Sequence, residues 1–184
     1  MPLIAILLTF IFLAADAPTP QFKVPDGGGI VYGDELGVGI SAPKGWVFDS
    51  QSGVAQGMHA VMYPEGRSWA EASEVMYVNV SRAESGQTLA SFISSDVARF
   101  KENTPKLAVE TGDPIEIRGG TKAEVRLYTG DAWGNHEAVA YVAHGSSVAI
   151  YVLSCRNKEG FLKSRPAFRQ MVANSFLVNM VLKK

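Results

Sequence analysis

The residues best equipped for chemistry stand together in Asp131-Ala-Trp133-Gly-Asn135-His136-Glu137. Two carboxylates and an imidazole are donors that one divalent ion accepts. The segment reads as a hairpin end, where facing residues lie roughly 5 Å apart. Asp131, His136 and Glu137 are therefore candidate metal ligands, and a metal-dependent hydrolase is the enzymatic reading of them. Their spacing follows no fixed ligand pattern, which favours a plainer expectation: a polar turn with Trp133 folded against the domain. The remaining histidines, His59 and His144, sit in separate strand or turn positions and add no pair to the cluster.

Other catalytic patterns are weaker still. A serine nucleophile elbow needs Gly-x-Ser-x-Gly; Gly39-Ile-Ser41-Ala-Pro43 comes nearest and lacks the final glycine. Phosphate-cradling loops put glycines immediately before a helix, whereas Gly27-Gly28-Gly29 stands in a proline-rich tract. Lys and Arg number 17 against 18 Asp and Glu, with no long run of either sign. Duplex binding requires a basic patch that displaces counterions. The densest basic stretch, Arg156 to Arg169, is diluted by apolar residues and Glu159, and reads as a solvated helix face. No catalytic residue and no cofactor is expected.

Binding is the better prospect, through the tryptophans, because aromatic side chains dominate interface hot spots. Trp46, in Lys44-Gly-Trp-Val-Phe48, is expected to plug the core. Trp69 lies in a polar loop with Arg67 and Glu71 beside it, a place where contact residues concentrate. Trp69, Arg67 and Trp133 are therefore the candidate contacts to a small ligand or an envelope protein. Cys155 is the single cysteine and ends an apolar run, so it reads as a small buried hydrophobe without a disulfide partner.

These residues need elements to position them. Leu36 to Ala42, Trp46 to Phe48, Gly57 to Tyr63 and Val75 to Arg82 carry strand signals. Along Val75 to Arg82, Met76, Val78 and Val80 share one face while Tyr77, Asn79 and Ser81 share the other. Asn79-Val-Ser81 matches a glycosylation acceptor, but mid-strand. Thr88 is a helix N-cap, followed by the stripe Leu89, Phe92, Ile93, Val97 and Phe100, and Asn103-Thr104-Pro105 ends the helix. Strands are expected over Ile115 to Arg118, Lys122 to Thr129, Asn135 to Ala143 and Ser147 to Cys155, and their short links demand antiparallel neighbours. Lys158 to Phe176 reads as a helix in one or two pieces around Pro166, and Leu177 to Leu182 as a short edge strand.

Residues Leu3 to Ala15 are apolar apart from Thr9, and Ala15-Asp16-Ala17 follows with a small-x-small pattern. Such a run is shorter than the ~20 residues that span a hydrocarbon core and has the length of a secretory leader. No Lys or Arg precedes it, so retention as an anchor, the one expected membrane link, is the alternative to cleavage. The expected organisation is a leader over 1–17, a Pro/Gly-rich tether over 18–29 and one domain over 30–184. Removing 1–17, in which Asp16 is the charged residue, leaves a chain with 17 charges of each sign. The location expected is periplasmic or secreted.

The order of these pieces, with Ala42-Pro43-Lys44-Gly45-Trp46 early and Pro166-Ala-Phe168 to Ser175-Phe176 at the close, resembles the PsbP-like superfamily. Its members include the extrinsic protein of the oxygen-evolving complex and exported bacterial DcrB-like proteins. The resemblance covers about Leu36 to Phe176 and implies an α+β fold, an antiparallel β-sheet flanked by helices on both faces in an α-β-α sandwich. It also implies a non-enzymatic accessory or binding role.

Overall fold

The computed structural model describes residues 26–180; the expected leader over 1–17 and most of the expected tether lie outside the described residues. In chain order come β1 (Gly28–Tyr32), β2 (Leu36–Ser41), β3 (Trp46–Asp49), a single 3-10 turn at Val54–Gln56, β4 (Val61–Pro64), β5 (Glu74–Arg82) and α1 (Leu89–Asn103). Then follow β6 (Ala108–Glu116), β7 (Lys122–Thr129), β8 (His136–His144), β9 (Ser147–Cys155), α2 (Lys158–Asn174) and β10 (Phe176–Asn179). The fold is mixed α+β, with two helices and two sheets among the described residues rather than the single sheet expected. One is three-stranded, in the order β1-β2-β10; the other is seven-stranded, in the order β3-β4-β5-β9-β8-β7-β6. All neighbours pair antiparallel.

The chain ends of the domain meet at β2. Its Leu36, Val38 and Ile40 are buried, and it hydrogen-bonds β1 on one side and β10 on the other. Phe176, expected as the last residue of the helical stripe, instead opens β10 opposite Gly39. Ser175 breaks the helix with an extended backbone, and its hydroxyl bonds back to the carbonyl of Val172 at 2.6 Å and meets the Tyr151 hydroxyl at 2.9 Å. The Phe176 ring occupies the space a side chain at residue 39 would need: a Cβ there would stand 2.2 Å from Cζ. Gly29 is kept bare for a similar reason, since its Cβ would meet the Phe48 ring at 2.5 Å. Strand pairing thus begins at Gly28, two residues before Ile30.

Helix boundaries follow local chemistry. The Thr88 side chain accepts from the backbone N–H of Ser91, and the Asn157 side chain accepts from that of Gly160 at 2.8 Å. α2 runs through Pro166 without a break. Proline there removes the bond to the carbonyl four residues back, but Pro166 and Leu162 are both exposed, so water reaches that carbonyl. β6 starts seven residues earlier than the sequence pattern suggests. Its first half, Ala108 to Asp113, is a solvent-facing edge with no apolar alternation to betray it, and it bulges between Gly112 and Ile115. Pro114 is tolerated in that bulge because an edge strand needs no ladder bond there.

Strands β8 and β9 bury side chains on both faces. Ala138, Ala140, Val142, Tyr151 and Leu153 join a large cluster with Val38 and Ile40 of the small sheet and Phe161, Phe168, Met171 and Val172 of α2. Val139, Tyr141, Val148 and Val152 join a smaller cluster with Ile93 and, at its margin, Leu89, Phe92 and Val97 of α1. Trp46 is partly buried against the large cluster, in keeping with a core plug. Cys155 is buried and its thiol is pushed up to about 12, chiefly by burial.

Gly39→Ala should lower the unfolding free energy by about 1–3 kcal/mol, the usual cost of overpacking a rigid core, in urea denaturation. Combining it with Phe176→Leu should restore part of the loss relative to the sum of the single changes. An additive result would mean the two sites do not contend for one space.

Candidate functional site

α1 sits over only part of its face of the seven-stranded sheet. Beside its C-terminal half a cavity of about 400 Å³ opens, lined by Arg99, Phe100, Leu107, Tyr128, Trp133 and Glu137 among others. A narrower extension of about 140 Å³ continues along the sheet between Tyr77, Asn79, Asp96 and Val152, sharing Arg99, Phe100 and Glu137 with the main cavity. A third depression, of about 310 Å³, is lined by Trp69, Ser73, Val75, Ser154 and Arg156, and meets the main cavity at Asn135.

A polar chain fixes the helix above this cleft. The Tyr141 hydroxyl donates to Oδ2 of Asp96 at 2.7 Å, and the Tyr128 hydroxyl lies 2.8 Å from that of Tyr141. Because the Tyr141 proton is committed to Asp96, Tyr128 must be the donor in the second bond. Arg99, one turn on from Asp96, donates to the other carboxylate oxygen. Asp96 and both tyrosines are buried, and a buried polar group without partners costs about 1–3 kcal/mol. The chain meets that demand for all three. Burial pushes the Tyr128 phenol up to about 12 and Tyr141 higher still, so both remain donors.

The turn between β7 and β8 forms one rim. Asp131 accepts from the backbone N–H of Trp133 at 3.0 Å, from that of Asn135 at 2.6 Å and from the Asn135 amide at 2.9 Å. This local capture, typical of aspartate in turns, holds Trp133 out with 83% of its surface exposed. Opposite it, Phe100 packs on Tyr128 with ring centroids 5.5 Å apart. Glu137 stands on the floor. Burial is the main force lifting its pKa above the ordinary 4.5, opposed by a hydrogen bond from Ser154 and reinforced by the like charge of Asp131.

The structure separates the expected metal ligands. His136 and Glu137 are neighbours on β8 and so point to opposite faces. The imidazole stacks 6.0 Å from the Phe161 ring of α2, while Glu137 faces the cleft. Asp131 has its carboxylate bound into the turn. No group of three His, Cys, Asp or Glu side chains among the described residues could hold a metal ion. Asp131 and Glu137 instead share the cleft with Trp133. Trp69 lines the third depression and donates from Nε1 to the Gln56 side chain at 3.3 Å. Arg67 lies exposed in the turn after β4 and is not among the residues that line that depression.

Sequence reasoning missed Arg99, Leu107, Tyr128 and Asn135 as cleft residues, and it assigned Phe100 to the core stripe although 41% of it is exposed. The polar alternation Glu124, Arg126, Tyr128 on β7 was a signal that this face is not uniformly buried.

Glu137 carries a pH signature. An acid whose folded pKa is raised contributes stability that is present below its unfolded pKa and lost as pH rises through the folded one. Glu137→Gln lacks that dependence. Its melting temperature relative to the unaltered chain should therefore climb between pH 4 and pH 7. A difference independent of pH would show that Glu137 titrates as in the unfolded chain.

No protein-family model matches the sequence, and no curated protein does. Among the solved structures similar to this chain are two with long coverage. One is the solution structure of cyanobacterial PsbP (CyanoP) from Synechocystis sp. PCC 6803, 13% identical over 87% of this chain and 98% of that one, with a TM-score of 0.50. The other is the crystal structure of PA94, a protein of unknown function from Pseudomonas aeruginosa, 11% identical over 89% of this chain and 91% of that one, with a TM-score of 0.42. The chain has a PsbP-like fold.

Proposed function

We propose that the chain is an exported, non-catalytic accessory domain, an α-β-α sandwich that works at the cell envelope by holding a small ligand or a protein segment in the cleft beside α1. The observation that carries this reading is the cavity of about 400 Å³ walled by Phe100, Leu107 and Tyr128 and overhung by the exposed Trp133. Its volume falls in the range of small-molecule sites, which are mostly apolar with a few placed polar groups. The placed groups here are Arg99, Asn135 and Glu137. The polar residues converging there bond to one another in ways that hold the scaffold, as Asp96 does to Tyr141 and Asp131 to its turn. That supports binding over turnover. The apolar leader over 1–17 supports export, and a PsbP-like fold suits an accessory role.

The neutral probe 3-phenyl-1-propanol should shift NMR resonances of Leu107, Tyr128 and Trp133 in a saturable manner, and Trp133→Ala or Phe100→Ala should weaken its binding several-fold. Shifts scattered over the surface, or binding indifferent to both changes, would remove the cleft as the site. Export is tested separately, by fusing alkaline phosphatase, which needs an oxidising compartment, after Lys184. Activity should be high with the full leader and lost when residues 3–15 are deleted; activity unaffected by the deletion would exclude the leader reading.

A further inference from the structure

The charges around the cleft do not cancel. Arg99 and Asp96, both on α1, are ion-paired and offset each other. Tyr128 and Tyr77 stay neutral, their phenols held above the ordinary range by burial. That leaves Asp131 from the turn and Glu137 from β8, two groups of one sign. The charged neighbour that acts on Glu137 is Asp131, which opposes its ionisation. The carboxylates differ in what they still offer. Asp131 already accepts three hydrogen bonds from its own turn. Glu137 has its bond from Ser154, and an ionised carboxylate has about four acceptor positions.

From this balance we infer that the occupant of the cleft is a small organic cation, an ammonium group carried on an apolar stem, with Glu137 as its counter-ion. The inference rests on the reading of the cleft as a ligand site. Three features act in the same direction. Phe100, Tyr128 and Trp133 line the cavity, and aromatic rings present negative faces that attract an ammonium within about 6 Å. Apolar walls such as Leu107 favour a hydrocarbon stem over a bare inorganic ion. A partly buried carboxylate beside a like charge gains from a cation and loses further from an anion. Arg99, the cation in the lining of the cleft, has its charge offset by the Asp96 carboxylate it pairs with, so it draws an anion less than a lone guanidinium would.

An isosteric series separates this inference from the reading beneath it. Calorimetric titrations of the purified chain at pH 8 would compare 3-phenylpropylamine, 3-phenyl-1-propanol and 3-phenylpropionate. The amine should bind at least tenfold more tightly than the acid, with the alcohol between them. Glu137→Gln should bring the amine down to the alcohol's affinity and leave the alcohol unchanged. If the alcohol binds while amine and acid do not differ, or if the preference survives in Glu137→Gln, the cation assignment is wrong and the cleft stands. If none of the three binds, both readings fall together. A fourth probe, Nα-acetyl-lysine methylamide, should bind at least tenfold more weakly than 3-phenylpropylamine. Equal binding would transfer the site to the lysine side chain of a partner protein and overturn the small-molecule assignment.

Discussion

A sheet that is apolar on both faces must be covered twice, and the rest of this structure follows from how unequally that is done. β8 and β9 alternate so that Ala138, Ala140 and Leu153 face one way and Val139, Tyr141 and Val152 the other, all buried. The three-stranded sheet and the 17-residue α2 together close the first face. The second has α1, of 15 residues. A helix that long measures roughly 22 Å and about 10 Å across, while seven strands at about 4.8 Å spacing span roughly 29 Å. One helix cannot roof such a surface. The uncovered part becomes the cleft.

The way α1 is fastened decides where that cleft lies. Apolar contacts through Leu89, Phe92, Ile93 and Val97 anchor its first three turns over Tyr141 and Val148. Its last turn instead leaves Phe100 standing over Tyr128 at the edge of a cavity. Between the two lies the chain from Arg99 through Asp96 and Tyr141 to Tyr128, which satisfies every buried polar group it contains. A fully paired network of this kind fixes orientation as well as contact, because a helix turned by a few tens of degrees would orphan Asp96. The floor and rim are then set by β8 and its preceding turn, which carry Glu137 and Trp133 on backbone that Asp131 braces.

Much of this was legible from residue order. The cap at Thr88, the break after Asn103, the strands Lys122 to Thr129 and Ser147 to Cys155, and the buried character of Cys155 all depend on local chemistry: side-chain capping, two-residue periodicity and the short turns between neighbours. The alternation along Val75 to Arg82 likewise told which side chains share a face, and Met76 and Val78 are indeed in the core. β6 was half hidden, because its first residues face water and carry no apolar rhythm. Phe176 was misread because an apolar residue one turn beyond Val172 fits a helical stripe as well as a strand, and pairing with Gly39 is an event 137 residues away in the chain.

The candidate site divides in the same way. Residue types and their closeness in sequence singled out Asp131, Trp133 and Glu137, and these do share one cleft. The same closeness wrongly included His136, because adjacency along a strand means opposite faces of the sheet. By itself the sequence determined the local elements, the aromatic and acidic turn, and the absence of a disulfide partner for Cys155. Only the tertiary structure decided that Arg99 is paired with Asp96, that Tyr128 and Leu107 complete the wall, and that the charged neighbour acting on Glu137 is a second carboxylate, Asp131. Those are sums over side chains brought together from α1, the segment after it, β7 and β8, and long-range pairing of strands, which no local propensity encodes, is what places them within reach of one another.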